Sequence, residues 1–263
     1  ELFTCCGRSV HKPMQVWTQR PNRCGRGSRA VTPTIVFDFD GTLALGAGPI
    51  VAYARAIARR SGDTVFLDLA VSALAAFEAG DTDLYRDGYD VVGSLAAKAG
   101  IHAGVLNEAY AASRAALGSA DAPVMAPERL APFLDRVGRD AQIILATNAP
   151  SDSIVPLLSA WGVAEAFDAL HFTVGKPDGL RPILAHALEA GPVLSVGDIV
   201  ELDLAPAMEL GADTALVGAT AARASAPVTM RGTTLSDLYS DIESWAASAV
   251  SSPSRTTPLE RHP

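Results

Sequence analysis

The chain has 263 residues, of which 49% are apolar and 19% are charged, as in an ordinary globular protein. A chain of this length buries enough surface to fold without disulfides, and its three cysteines all lie within the first 24 residues. The net charge of −8 disfavours non-specific nucleic-acid binding, and no apolar run is long enough to predict a membrane span. We therefore expect a cytoplasmic protein that binds neither nucleic acid nor membranes.

The charge is distributed unevenly along the chain. Residues 1–30 contain six Lys or Arg and a single acid, which leaves a net charge of −13 for the other residues. This segment has no clear amphipathic period, and we predict a disordered basic tail outside the fold. Residues 249–263 are rich in Ser, Thr and Pro, and we predict that they are disordered as well.

The first strong signal is the run at residues 35–43, which reads IVFDFDGTL. Its apolar residues predict a strand that is buried on both faces. Because strand side chains alternate with a period of two, Asp38 and Asp40 should point the same way, and Gly41 allows a sharp turn after them. Burying unpaired carboxylates is costly, so their presence here indicates a nucleophile and a site for a hard cation.

Residues 47–126 are rich in alanine and have apolar residues at helical spacing. They predict four helices, at residues 51–60, 65–79, 84–99 and 105–117, and no strand. This segment therefore looks like a helical insertion after the first strand.

Beyond the insertion, short strands alternate with helices. Strand-like runs lie at residues 141–147, 192–197 and 214–218, and helical patterns lie at 151–161, 180–190 and 201–210. This alternation predicts an α/β fold, with a Rossmann-like parallel sheet flanked by helices in a core of residues 31–46 and 127–248. Ligands bind at the carboxyl ends of such strands, where Thr147, Asn148 and Asp198 fall.

The polar residues at these strand ends resemble the motifs of the haloacid dehalogenase (HAD) superfamily, in the family's order. Asp38-Phe39-Asp40-Gly41-Thr42 resembles the first motif, Thr147 the second and Lys176-Pro177 the third, while Asp198 with Glu201 and Asp203 resembles the fourth. The sequence resembles phosphoglycolate phosphatase-like members, and an insertion at this place resembles the C1-type helical cap. The resemblance thus implies a hydrolase whose cap, residues 47–126, covers the site.

Two carboxylates suffice for the chemistry that these residues suggest. Asp38, where the strand meets the turn, would attack phosphorus and form an aspartyl-phosphate. Asp40 would protonate the leaving oxygen and later activate water, so we expect its pKa to be raised relative to that of Asp38.

The resemblance assigns roles to the other motif residues. Mg²⁺ would be bound by the carboxylates of Asp38 and Asp198 and a backbone carbonyl at Asp40. Asp203 would orient Lys176 or a metal-bound water, and Glu201 could share that task. Lys176 would supply a positive charge to the nucleophile and to the transferring group. The phosphate of a small phosphorylated metabolite would be held by Gly41, Thr42, Thr147, Asn148 and Lys176.

Several alternatives stay open at this point. A phosphomutase would use the same two aspartates, and a non-catalytic or receiver-like domain would keep the fold without the turnover. Haloacid dehalogenation is disfavoured, because that branch lacks the second acid of the first motif, which is Asp40 here. Taken alone, Thr147-Asn148 is typical of a helix cap, and Asp38 and Asp40 could cap a turn. The substrate and the cap residues that select it do not follow from the sequence.

Overall fold

A computed structural model of the protein describes residues 15–18, 31–81 and 84–251. Its centre is a seven-stranded sheet in the order β1-β4-β3-β2-β5-β6-β7. Strands β2 to β7 are mutually parallel, whereas β1 runs antiparallel to β4 at one edge. The strands are β1 Gln15–Thr18, β2 Thr34–Phe37, β3 Gln142–Ala146, β4 Ala169–Phe172, β5 Val193–Gly197, β6 Asp213–Leu216 and β7 Met230–Arg231.

Nine α-helices are found in the described part of the chain, and the first four form the insertion between β2 and β3. A π-helix at Val200–Leu204 precedes α8, and short 3₁₀ turns lie at Ala164–Ala166 and Leu235–Leu238. The helices are α1 Gly48–Ser61, α2 Phe66–Glu78, α3 Gly88–Lys98, α4 Ala103–Ala115, α5 Leu130–Val137, α6 Ser151–Ala160, α7 Leu180–Leu188, α8 Ala205–Glu209 and α9 Tyr239–Ser251.

Strand β2 lies in the middle of the sheet and is buried on both faces, as the sequence predicts. Alternate side chains enter different cores: Ile35 and Phe37 pack in the cluster that includes α5, α6 and α9, whereas Val36 packs against α7 and α8. The prediction of a Rossmann-like parallel sheet covered by helices on both faces is confirmed.

The helical insertion, residues 47–126, has a hydrophobic core of its own. Phe66, Leu74, Phe77 and Val91 are buried in it among many alanines, which let the helices approach closely. The four predicted helices all form, but α3 begins later than predicted. The Asp87 side chain accepts a hydrogen bond from the Asp90 amide at 2.6 Å and so caps that helix.

The structure departs from the sequence prediction in three places. The expectation that residues 1–30 stay outside the fold is wrong for Gln15–Thr18, which pairs with the otherwise open edge of β4. The other residues of that tail, and residues 252–263, lie outside the described part of the chain. The helix predicted at 201–210 begins as the π-helix, and sequence patterns did not reveal β4, α5 or α9.

None of the helices in the described segments combines the length and the apolar character that crossing a membrane requires.

Candidate active site

Three central strands bring polar residues together at the carboxyl edge of the sheet. Asp38 directly follows β2, Thr147 follows β3 and Asp198 follows β5. Because these parallel strands are neighbours, with Phe37 opposite Leu145 and Val196, the three residues leave the sheet within one residue of the same level. This edge is where parallel α/β sheets bind ligands.

Lys176 joins two of the carboxylates. Its Nζ atom donates to Asp38 Oδ1 at 2.6 Å and to Asp203 Oδ1 at 2.7 Å. The Lys176 side chain is only 3% exposed, and those of Asp38 and Asp203 are 12% and 4% exposed. A buried ammonium needs partners of this kind, because an unpaired charge at this depth would be strongly unfavourable.

Asp203 is fixed from several sides. Its Oδ2 atom accepts from the Ile199 amide at 3.1 Å, and its backbone carbonyl accepts from Ser195 Oγ at 2.8 Å. A Cβ at Gly197 would lie 2.4 Å from Asp203 Cβ, so only glycine leaves room for this side chain. Asp203 thereby holds Lys176 against Asp38, which is one of the tasks that the family resemblance implies.

Asp198 completes a cluster of carboxylates. Oxygen atoms of Asp38, Asp198 and Asp203 lie within 4.8 Å of one another, which makes this cluster a candidate metal site. When all three carboxylates are ionised, they and the ammonium of Lys176 have a net charge of −2 at a largely buried site. A divalent cation would balance this charge. Hard oxygen donors of this type fit Mg²⁺ or a similar cation.

Gly41 lets the first motif close on this cluster. Its φ angle is +78°, in the left-handed region, and a Cβ there would lie only 2.2 Å from Asp198 Oδ2. Glycine is thus required both by the turn and by the approach of Asp198.

Burial and mutual repulsion shift the protonation of these acids. Burial raises the pKa of Asp38 to about 7, although Lys176 works in the opposite direction and Asp203 adds to the rise. The pKa of Asp198 is raised well above its usual range, first by burial and then by the charges of Asp38 and Asp203. Asp38 is the more deeply buried acid of the first motif and lies among other acids, which is why its pKa is raised. The expectation for Asp40 stays a prediction.

Asp40 lies on the side of the site that faces the insertion. Its Oδ1 atom accepts a hydrogen bond of 2.7 Å from Nη1 of Arg114, near the end of α4. Sequence analysis did not single out Arg114. The available signal was that this arginine is the lone charged residue between Glu108 and Asp121 in an alanine-rich segment.

Comparison with known proteins supports the fold. No family model and no curated protein matches the chain. Among solved structures, a candidate haloacid dehalogenase-like hydrolase from Bacteroides fragilis has a TM-score of 0.56 at 19% identity, covering 79% of this chain and 99% of the other. A candidate HAD hydrolase, YfnB, from Bacillus subtilis with bound magnesium has a TM-score of 0.54 at 16% identity, with coverages of 80% and 98%. A HAD-superfamily hydrolase of subfamily IA from Geobacter sulfurreducens has a TM-score of 0.50 at 18% identity, with coverages of 81% and 97%.

The chain has the fold of the HAD-superfamily hydrolases. In this HAD fold, all four groups of motif-like residues reach the same edge of the sheet, and the helical insertion lies next to Asp40.

The residues predicted to bind phosphate lie around this site and differ in their exposure to solvent. Thr147 is buried, and its Oγ1 accepts from the Ala149 amide at 3.1 Å, which stabilises the turn after β3. Asn148 is exposed as a residue, but its Oδ1 accepts from the Lys176 amide at 2.8 Å. Asn148 thus positions the backbone of Lys176, a role that the sequence did not suggest. Thr42 is fully buried, and its hydroxyl has no hydrogen-bond partner among the described residues.

The structure does not support a role for Glu201. Its side chain is exposed, and within the described part of the chain it forms no ion pair, whereas Asp203 is buried in the cluster. The two acids belong to the same π-helical turn, Val200–Leu204, so they leave the turn in different directions. The described contacts thus give no support to the idea that Glu201 shares the task of Asp203, which stays a prediction.

Proposed function

We propose that this protein is a Mg²⁺-dependent phosphohydrolase that acts on a small phosphorylated metabolite through an aspartyl-phosphate on Asp38. The observation that carries the proposal is the buried network in which Lys176 Nζ holds Asp38 Oδ1 at 2.6 Å beside Asp198. An aspartate fixed in this way presents its second oxygen to a ligand at the carboxyl edge of the sheet. A substrate carboxylate or halide would need no cluster of three acids, whereas phosphate with a divalent cation matches it in charge.

In the first step, an oxygen of Asp38 attacks phosphorus while the bond from phosphorus to the leaving oxygen breaks. The leaving oxygen takes a proton from Asp40, so that an alcohol departs. Asp40 Oδ1 is bound to Arg114, which leaves Oδ2 to carry this proton. Lys176 keeps the nucleophile in place and offsets negative charge as the phosphoryl group transfers.

In the second step, water attacks the aspartyl-phosphate. Asp40 accepts a proton from this water, the bond between phosphorus and the Asp38 oxygen breaks, and inorganic phosphate and the free carboxylate result. Asp203 keeps Lys176 within reach throughout, because its own position is fixed by the Ile199 amide. The site returns to its starting state with no net change in protons on the protein.

Asp38 and Asp198 are the residues that would hold Mg²⁺, since one oxygen of Asp203 is bound to Lys176 and the other to the Ile199 amide. When bound, Mg²⁺ supplies charge neutralisation between an anionic nucleophile and an anionic phosphate. The predicted contribution of the Asp40 backbone carbonyl stays a proposal.

The helical insertion would act as the cap over this site. Besides Arg114, both Asp87 and Tyr89 lie close enough to Asp40 that its charge contributes to the raised pKa of each, although burial is the larger cause. These residues come from α3 and α4 and from the loop before α3, so they surround the place from which a leaving group must depart. A cap at this position would exclude water from the reacting phosphate.

The test is hydrolysis of p-nitrophenyl phosphate and acetyl phosphate with Mg²⁺, for the parent protein and for Asp38→Asn. Asp135→Asn, a change of the same kind at an exposed position on α5, is the matched control. We expect Asp38→Asn alone to abolish turnover, and EDTA to stop the parent protein. Hydroxylamine-sensitive labelling of the parent by acetyl phosphate, lost in Asp38→Asn, would mark the aspartyl-phosphate.

The same series separates the alternatives. Transfer of phosphate to a second hydroxyl of the substrate without release would favour the phosphomutase. Halide release from 2-chloropropionate without phosphate hydrolysis would favour a dehalogenase. Stable phosphorylation of Asp38 with no turnover would favour a receiver-like domain, and no reaction across a metal and pH series would refute the phosphohydrolase.

A further inference from the structure

An ion pair at the site links the core to the helical insertion, and its two residues are remote in sequence. Arg114 belongs to α4, whereas Asp40 follows β2, 74 residues earlier, and Nη1 of the arginine lies 2.7 Å from Oδ1 of the aspartate. The Arg114 side chain is 4% exposed, but that of Asp40 is 32% exposed. The arginine is therefore an interior group of the insertion that reaches out to a more accessible group of the core.

The surroundings of Arg114 make its burial costly. Its Nε and Nη2 atoms are buried and form no hydrogen bond with any described residue. Tyr89 and Tyr110 lie near it, and with Tyr53 they form a cluster whose ring centroids are 5.7 to 6.2 Å apart. A guanidinium that leaves two donor atoms unsatisfied contributes little to folding, since an apolar side chain of similar size would fill the space at lower cost. What distinguishes Arg114 is its ion pair with Asp40.

Arg114 is also held firmly. Helix α4 packs along α1, and Tyr110, one turn before Arg114, contacts the rings of Tyr53 and Tyr89 while it stays partly exposed. Asp40, in contrast, lies in a turn and is partly exposed to solvent. Among the described residues, Arg114 alone forms a hydrogen bond with its carboxylate. The rigid partner in this pair is thus the arginine.

We infer that Arg114 is a positioning residue for Asp40, and that the helical insertion thereby sets the direction in which the acid delivers its proton. Arg114 fixes Oδ1 of Asp40 and turns Oδ2 toward the leaving oxygen. This inference rests on the proposed function and adds a regulatory element to it: proton transfer needs α4 in the position described here. If the insertion moves away, Asp40 loses its support, and phosphate transfer to Asp38 continues only for leaving groups that need no proton.

The experiment compares two substrates whose leaving groups differ in their need for a proton. Propyl phosphate releases an alkoxide that must be protonated, whereas 2,4-dinitrophenyl phosphate releases a stable phenolate. kcat and KM are measured for both with the parent protein, Arg114→Met, Arg114→Lys and Asp40→Asn. Arg136→Met is the matched control, because Arg136 forms a surface ion pair with Glu243 at 2.8 Å.

We expect Asp40→Asn to lower kcat for propyl phosphate by about 10²- to 10⁴-fold and to affect dinitrophenyl phosphate far less. Arg114→Met should also lower kcat for propyl phosphate more than kcat for dinitrophenyl phosphate. The loss for propyl phosphate should be about 10- to 100-fold, which is typical for a residue that supports a catalytic group. Arg114→Lys should recover part of that loss. A residue with a merely structural role would instead lower both rates together.

The outcomes separate the two proposals. Suppose that Asp40→Asn lowers kcat for propyl phosphate far more than kcat for dinitrophenyl phosphate. If Arg114→Met then lowers kcat equally for both substrates, or for neither, the positioning role is refuted and the phosphohydrolase stands. If the parent protein hydrolyses neither substrate, the proposed function fails and the positioning role fails with it. If Arg114→Met does not fold, judged by its melting temperature against Arg136→Met, then Arg114→Lys decides: equal losses on both substrates refute the inference.

Discussion

Replacing Lys176 by methionine tests the charge balance on which the candidate site depends. The ammonium lies 2.6 Å from Asp38 Oδ1 and 2.7 Å from Asp203 Oδ1, and its side chain is 3% exposed. Methionine fills much of the same space without the charge, so the perturbation is almost purely electrostatic. The three carboxylates of the site would then have no compensating charge from this lysine.

The magnitude follows from burial and from protonation. Breaking a buried pair by removing one partner costs about 3–5 kcal/mol of unfolding free energy. In the metal-free protein Asp38 has a pKa of about 7, and Lys176 acts to lower it, so the pKa rises further in the mutant. Above pH 7 the mutant's Asp38 therefore stays protonated when folded, while the carboxyl group is ionised when unfolded. The folded mutant binds the extra proton, so its stability falls as pH increases.

We expect the destabilisation by Lys176→Met to increase between pH 7 and 8.5 by up to about 1.4 kcal/mol per pH unit, or about 2 kcal/mol in all. Urea unfolding in EDTA at both pH values measures it. Lys98→Met, at an exposed position on α3, is the control and should stay within about 0.5 kcal/mol of the parent at either pH. In the double mutant with Asp203→Asn, part of the loss at pH 8.5 should be recovered. A pH-independent loss, or one as small as that of Lys98→Met, would refute the electrostatic account.

Three further predictions concern the metal site. The rise in melting temperature on adding Mg²⁺ should be larger at pH 8 than at pH 6, because the pKa values of Asp38 and Asp198 are raised and bound protons compete with the ion; a larger rise at pH 6 would contradict this. Asp198→Asn should stabilise the metal-free protein by about 1–3 kcal/mol, since it removes a carboxyl group whose ionised form is disfavoured by burial, and should abolish the Mg²⁺ shift; a retained shift would exclude Asp198 as a ligand. Gly41→Ala should also lose the Mg²⁺ shift, because the new Cβ would lie 2.2 Å from Asp198 Oδ2. Gly62→Ala shares the left-handed backbone, with φ +74° and nothing within 4 Å, so it should lose only about 1–2 kcal/mol of stability and keep the shift.

The placement of the site residues at the carboxyl edge of the sheet could be predicted from the sequence, because it depends on local patterns. A doubly buried strand such as β2 has a continuous apolar run, and the carboxyl end of a parallel strand is marked by the polar residue that ends it. Asp38, Thr147 and Asp198 could therefore be assigned to one edge before any contact was known. Lys176 follows no strand pattern, and only its resemblance to a known motif connected it with Asp38.

Short or irregular elements could not be predicted, because their local sequence patterns are weak or ambiguous. Strand β4 has only four residues and includes His171, so its alternation is weak. The π-helix at Val200–Leu204 reads as an ordinary helical start, and only its geometry separates the exposed Glu201 from the buried Asp203. Asn148 looked like a ligand residue, although its side chain is bound to the Lys176 backbone.

By itself, the sequence determined the alternation of strands and helices, the helical insertion after the first strand, and the acids that converge at the end of β2. These depend on periodicity and on the cost of burying charge, which are local properties of the chain. Only the tertiary structure decided which acid has the raised pKa and which group supports Asp40. Both answers depend on distances between residues remote in sequence: Asp38 is surrounded by Asp198 and Asp203, and Arg114 reaches Asp40 across the boundary between insertion and core.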